Sequence, residues 1–324
     1  MMMDINTLIT GGAGFIGSWL VGKCLNRGWR VWVYDNFEVG REENLARYAG
    51  QVQVIKADIL DRERLTFVMK ANSINLVYHL AAYHYIPFCN TYPVETIRVN
   101  VEGTASVLQA AAESGVQRAI IASSGAIYRS IDQPLNEDNI EIVAPVDIYG
   151  WTKLMAEQVA RYYAEHSPLC CIVARLFNTY GPYETNMHLI PHIIERLKKT
   201  RDRVELGNIY TKRDYIYVDD AAEALVCLAD VPVEEKFMIF NIGTGKEYSV
   251  IEIVQTIAHL IGRPIQIVQN NERMRKVDKE HQIADISKLK QACNWQPRYS
   301  LVEGLKELLL HEGLITDLRD VSQC

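Results

Sequence analysis

Short apolar runs that close on glycine or polar residues alternate with longer stretches whose apolar positions recur at three- and four-residue intervals, and this alternation fills the first half of the 324-residue chain. The runs Ile5–Thr10, Arg30–Tyr34, Val52–Ala57, Leu76–Leu80 and Ala119–Ser123 have the length and composition of strands. Helical periodicity marks Phe15–Arg27, stopped by Gly28, and Val94–Ser114, where Ile97, Val101, Ala105, Leu108 and Ala112 share one stripe. Tyr149–His166 is a further long helix, ended by Ser167-Pro168 ahead of a strand at Cys171–Phe177. Strands and helices alternating in this way predict an α/β fold with a Rossmann-type, doubly wound parallel sheet.

Beyond Gly181-Pro182 the alternation stops. The pattern predicts helices at Ile190–Lys199, Val250–Ile261 and Leu301–His311, a strand and helix across Asp214–Ala229, and a strand at Phe237–Ile242. No repeat or linker interrupts the chain. The expected division is a dinucleotide-binding lobe, 1–177, to which elements near 214–243 return, and a smaller mixed α/β lobe, 178–324, that binds substrate.

Composition removes several function classes. The net charge is -6 with a pI ≈ 5.8, and no Lys/Arg run is present, which argues against nucleic acid or an acidic membrane surface as partner. No stretch reaches the roughly 18 apolar residues of a membrane span. Met1-Met2-Met3-Asp4 runs straight into the first strand, so no signal peptide and a cytoplasmic location are expected. The seven cysteines, Cys24, Cys89, Cys170, Cys171, Cys227, Cys293 and Cys324, form no CxxC pair and read as reduced thiols, with no metal site expected. Cys170-Cys171 sits in an apolar run that suits core packing.

Two motifs carry chemistry. Thr10-Gly11-Gly12-Ala13-Gly14-Phe15-Ile16-Gly17 spans a strand-to-helix junction, where glycines let backbone approach phosphate and the helix start offers N–H groups. Its glycines are spaced three and three, a departure from the usual GxGxxG, but Asp35-Asn36 closes the second strand about 20 residues on. A carboxylate there accepts from ribose hydroxyls and repels a ribose phosphate, which favours NAD over NADP. Asp58-Ile59 after the third strand offers an acceptor to adenine, and the small residues of Leu80-Ala81-Ala82 let the fourth strand pass beneath the cofactor. His79 reads as a satisfied core histidine.

Tyr149-Gly150-Trp151-Thr152-Lys153 is the second motif; its phenol and ammonium share a helix face. An ammonium ~4 Å from the phenol at an effective dielectric of ~20 is worth about 4 kcal/mol, so Lys153 is expected to lower the tyrosine pKa by up to roughly 3 units before desolvation. Tyr149 would then take a hydroxyl proton while the carbinol hydride leaves for a nicotinamide. Ser123-Ser124 ends the fifth strand and places a hydroxyl beside the same oxygen.

Together these residues resemble the extended short-chain dehydrogenase/reductase family, in its nucleotide-sugar epimerase/dehydratase branch. The likeness also runs through His79-Leu80-Ala81-Ala82, Tyr128, Arg175-Leu176-Phe177-Asn178-Thr179-Tyr180-Gly181-Pro182 and Arg213-Asp214-Tyr215-Ile216-Tyr217-Val218-Asp219-Asp220. It implies Ser124, Tyr149 and Lys153 as catalytic residues, Asn178 and Arg213 on the diphosphate, and Arg275 as a second diphosphate arginine. Family 4,6-dehydratases carry Asp-Glu after the catalytic hydroxyl residue, and decarboxylases tend to carry Glu at position 126; here Ser124 precedes Gly125-Ala126. The resemblance therefore implies epimerisation through a 4-keto sugar.

Several positions depart from the family pattern. Arg129 replaces a glycine, Arg275-Lys276-Val277-Asp278 lacks the customary Pro-Gly, and His188 stands where Asn is frequent. Tyr83-His84-Tyr85-Ile86-Pro87 is bulky and is expected to shape the sugar pocket, with His84 as a wall residue or a second acid/base. Gln282 occupies the position whose size governs access of an N-acetyl group. The expected activity is NAD-dependent 4-epimerisation of UDP-glucose/UDP-galactose or a 2-acetamido or uronic acid relative. The rivals are a 4-keto reductase or atypical dehydratase on the same scaffold, and more remotely a non-catalytic NAD-binding regulator. The resemblance also implies a homodimer through helices Val94–Ser114 and Tyr149–His166.

Overall fold

The computed structural model describes residues 5–270 and 279–316. Its strands are β1 (Asn6–Thr10), β2 (Arg30–Asp35), β3 (Gln53–Lys56), β4 (Leu76–His79), β5 (Arg118–Ser124), β6 (Cys170–Leu176), β7 (Asn178–Tyr180), β8 (Arg203–Leu206), β9 (Lys212–Tyr217), β10 (Phe237–Ile242), β11 (Glu247–Ser249) and β12 (Gln266–Gln269). The helices are α1 (Phe15–Asn26), α2 (Arg62–Ala71), α3 (Ile86–Thr91), α4 (Pro93–Ile97), α5 (Gly103–Glu113), α6 (Ile148–His166), α7 (Leu189–Thr200), α8 (Val218–Leu228), α9 (Val250–Leu260), α10 (Ser287–Cys293) and α11 (Leu301–His311).

Seven parallel strands run in the order β10-β6-β5-β4-β1-β2-β3. Alternate residues feed opposite faces: Ile9, Val33 and Ile120 pack under α1 and α8, and Leu8, Trp32 and Ile121 under α2, α5 and α6. A strand buried on both faces must be apolar throughout, which explains the unbroken hydrophobic runs in the sequence. The doublet Cys170-Cys171 illustrates this, with one thiol buried on each face. Strand order reverses between β1 and β4, and the crevice beyond the strand ends at such a point is where ligands bind in sheets of this kind.

The second half of the chain builds a three-stranded sheet, β11-β9-β7, a two-stranded parallel ladder, β12-β8, and a separate apolar core made by α7, α9 and α11. Strand β10 returns to the edge of the large sheet beside β6, and α8 returns to pack on α1. The short strands β7, β8, β11 and β12 leave too few residues for a readable period. Among the described residues no helix is long and apolar enough to cross a membrane.

The helix expected at Val94–Ser114 forms as α4 and α5 joined by a π turn at Arg98–Glu102. Its apolar stripe is only partly buried in the single chain: Leu108 is fully buried, Ile97 is 40% exposed, and Val101, Ala105 and Ala112 are half-buried. The wider turn rotates the following residues out of the regular 3.6-residue phase. The inward face instead carries Thr96, Asn100, Thr104 and Val107, and its polar members are hydrogen-bonded.

Candidate active site

The glycine loop joins β1 to α1 at the sheet's switch point. Gly11 has φ +70, and a Cβ there would lie 2.7 Å from the Ala81 amide nitrogen, so only glycine lets the loop cross the end of β4. Gly14 stands at the N-cap of α1 and brings no side chain to the first-turn N–H groups. Asp35, 7% exposed, accepts from the amides of Ala13 at 3.0 Å and Phe37 at 2.9 Å, which ties the end of β2 to the loop. Burial raises its carboxyl pKa and those two bonds oppose the rise. Asn36 donates to Asp58 Oδ2 at 3.0 Å, and Leu60 N donates to Asp58 Oδ1 at 2.8 Å.

Gly11, Gly14, Phe15, Ile16, Gly17, Asp35, Asn36, Asp58, Ile59, Leu80, Ala81 and Ala82 all line one cavity of ≈ 1030 Å³. The same cavity is lined by Ser124, Tyr149, Lys153, His84, Asn178, His188, Arg213 and Gln282. Of the residues singled out in the sequence, Arg275 lies outside the described residues. His79 is the core residue expected: Thr10 Oγ1 and Thr104 Oγ1 sit 2.8 and 2.9 Å from its two ring nitrogens, and burial lowers its pKa to about 3.

Strand alternation at the end of β5 separates the two serines. Ser123 turns into the core and donates to Glu157 at 2.5 Å, whereas Ser124 lines the cavity and accepts from Ala126 N at 3.1 Å. Asp147 caps α6 by accepting from Gly150 N at 2.8 Å, which fixes the first turn carrying Tyr149. Lys153 Nζ lies 5.9 Å from the Tyr149 ring centroid and donates to the Ala122 carbonyl at 2.8 Å.

Desolvation, set aside in the sequence-based expectation for Tyr149, dominates its pKa in the folded chain. Burial pushes Tyr149 up to about 12, with the Ser124 bond opposing, and burial pushes Lys153 down to about 8. The reason is geometric: the ammonium directs its short contact at a backbone carbonyl, and burial is the largest influence on both groups.

In the same cavity, His84 meets the loop before α7. Its Nε2 lies 2.7 Å from Asn186 Nδ2, and burial, followed by His188 and Lys153, lowers its pKa to about 4, so the ring is a neutral acceptor. His188 Nδ1 pairs with Glu184, and the His84 and His188 rings are 6.0 Å apart. Arg213 on β9 donates to the carbonyls of Lys212 at 2.8 Å and Lys279 at 2.6 Å. Gln282, 5% exposed, donates from Nε2 to the Gly125 carbonyl at 2.7 Å.

Four contributors escaped the sequence reading. Glu184 and Asn186 lie in a loop without periodicity, and Lys279 lies in a polar stretch; none of these has a local signal. Asn100 had one, a polar residue on the inward side of a helix: it bonds both backbone groups of Tyr83 at 2.8 Å and so fixes the segment bearing His84.

A parallel sheet with a glycine loop at its switch point, and a Ser, a Tyr and a Lys meeting in the same cleft, define an extended short-chain dehydrogenase/reductase. The chain belongs to the NAD dependent epimerase/dehydratase family, whose model matches residues 7–243. A UDP-N-acetyl-alpha-D-glucosaminuronate decarboxylase of Bacillus cytotoxicus is 31% identical over 320 residues, 95% of this chain and 97% of the relative. A UDP-glucose 4-epimerase of Rhizobium meliloti is 30% identical over 318 residues, 93% of this chain and 94% of the relative. The solved structure of MoeE5 in complex with UDP-glucuronic acid and NAD superposes with a TM-score of 0.83 at 31% identity, covering 94% of this chain and 97% of that one. NAD is the cofactor, and the close-approach glycines, the uncapped α1 N-terminus and the carboxylate closing β2 fit it.

Proposed function

We propose that the protein is an NAD-dependent 4-epimerase of a UDP-hexose. The observation that carries this reading is the meeting of Ser124, Tyr149 and Lys153 in one cavity, followed at once by Gly125 and Ala126. The site can handle the proton of one hydroxyl, and it has only hydrogen and methyl where a dehydratase or decarboxylase would place a carboxylic acid. UDP is taken from the relatives, whose names include UDP-glucose 4-epimerase.

In this scheme Tyr149 works as its phenolate, which the positive charge of Lys153 one turn along α6 favours against burial; Oη takes the 4-hydroxyl proton and becomes the phenol, and Ser124 Oγ shares the hydrogen bond to the same oxygen. NAD supplies the acceptance and return of the carbinol hydride. After the keto sugar turns over in the cavity, Tyr149 gives its proton back to the oxygen of the epimer. Asn178 and Arg213 hold the diphosphate, and His84, His188 and Gln282 wall the hexose. Residues 1–177 thus serve mainly NAD and 178–324 mainly the nucleotide sugar. A homodimer through α4–α5 and α6 accords with the exposed apolar residues Val94, Ile97, Trp151, Met155 and Tyr162.

Decarboxylation of a UDP-uronic acid is the second reading, favoured by the Bacillus cytotoxicus relative. UDP-glucose and UDP-glucuronic acid, each deuterated at carbon 4, separate the two. The epimerase gives product isobaric with substrate and retains the label. A product lighter by one water or one carbon dioxide, or wash-out of the label into solvent, refutes it.

A further inference from the structure

At the sugar end of the cavity stands a cation that belongs neither to the glycine loop nor to the helix of Tyr149. Lys279 is half-buried; its carbonyl accepts from Arg213 at 2.6 Å, and its ammonium donates to the Ala126 carbonyl at 2.8 Å. Ala126 N donates to Ser124 Oγ at 3.1 Å, and Ser124 and Tyr149 line the same cavity. The Ala126 carbonyl also rests against the first turn of α6, where a Cβ on Gly150 would approach it to 3.0 Å. The ammonium is therefore anchored two residues along the chain from Ser124, one of the hydroxyls that handle the substrate proton. The diphosphate is assigned to Arg213, which bonds the Lys279 carbonyl.

We propose that Lys279 reads an anionic substituent on the hexose, a 6-carboxylate, so that the chain prefers nucleotide-linked uronic acids to neutral hexoses. The inference rests on the assignment of a UDP-sugar to this cavity and deepens it. An ammonium within reach of a carboxylate makes a charge-assisted bond about twice as strong as a neutral one, whereas a hydroxymethyl group offers only a neutral acceptor. Burial lowers the Lys279 pKa to about 8, with Asp147 opposing and Arg213 reinforcing the shift, so the ammonium form gains from a further negative group.

Titration calorimetry on the NAD-loaded protein with UDP-glucuronic acid, UDP-glucose and UDP tests this without turnover. The wild type is expected to bind UDP-glucuronic acid about tenfold more tightly than UDP-glucose, the worth of one hydrogen bond to a charged group. Lys279→Met should collapse that ratio towards one with UDP affinity unchanged, and Lys279→Arg should restore most of it. Lys279→Gln, which keeps a donor for the Ala126 carbonyl, replaces the Met variant if that one does not fold. A ratio indifferent to residue 279 overturns the proposal. So does an equal loss for UDP and both sugars, which would put the ammonium on the diphosphate. If the lysine-dependent preference is seen but the product is not an epimer, the 4-epimerase reading falls and the carboxylate reading stands.

Discussion

Beneath the cavity lies a buried ion pair whose removal has a calculable cost. Glu157 on α6 and Arg175 on β6 are 1% and 3% exposed; Arg175 Nε and Nη2 donate to the two carboxylate oxygens at 3.0 and 2.7 Å, and Ser123 Oγ donates to one of them at 2.5 Å. Arg175 Nη1 also donates to Tyr128 Oη at 2.7 Å, which in turn donates to Asn241 at 2.9 Å. Glu157→Gln keeps the volume, so no cavity term enters. Three donors would then face one amide oxygen and one amide NH2, leaving a donor opposed to a donor and a buried guanidinium without its counter-charge. Breaking such a pair from one side costs about 3–5 kcal/mol. At about 2 °C per kcal/mol in a chain of this size, the melting temperature should fall by about 6–10 °C. Urea unfolding followed by circular dichroism, repeated on Arg175→Met and on the double variant, gives the pairwise term. The double variant should cost clearly less than the two single changes added together. A Glu157→Gln loss below about 1 kcal/mol, or strict additivity, would refute the reasoning.

Tyr149→Phe removes the proton carrier and should cut kcat at least about a hundredfold while calorimetric UDP-sugar affinity stays within about threefold; a smaller loss of kcat removes Tyr149 from the chemistry. The wild type should prefer NAD to NADP, and Asp35→Ala should weaken NAD binding and narrow that preference; equal affinities in the unmutated protein contradict the role given to Asp35. Because the pKa of Lys153 is lowered to about 8, its ammonium is present below that pH and lost as pH rises through it, so kcat/KM should fall on an alkaline limb near pH 8. A profile flat to about pH 10, the range of an ordinary lysine, would show that the charge of Lys153 is not required.

Much of this protein is local, and what is local can be read from the chain. The apolar runs of β1, β2, β5 and β6 follow from burial on both faces of a parallel sheet, and the helices at 15–26, 148–166, 250–260 and 301–311 follow from a period of 3.6 with capping residues such as Ser249 and Ser300. Gly11, Asp35, Tyr149 and Lys153 were legible because each performs its task within a few residues of a strand or helix end. Tertiary structure alone decided what depends on distant partners. It packed Ser123 against Glu157, interrupted the helix of 93–113 with a π turn, and made burial the largest influence on the pKa of Tyr149 and of Lys153. It also brought Asn186 to His84, 102 residues away, and Lys279 to Ala126, 153 residues away. A periodic pattern records which face of an element is buried; it carries no record of which side chain from another part of the chain arrives there, and at this site those arrivals line the sugar end of the cavity.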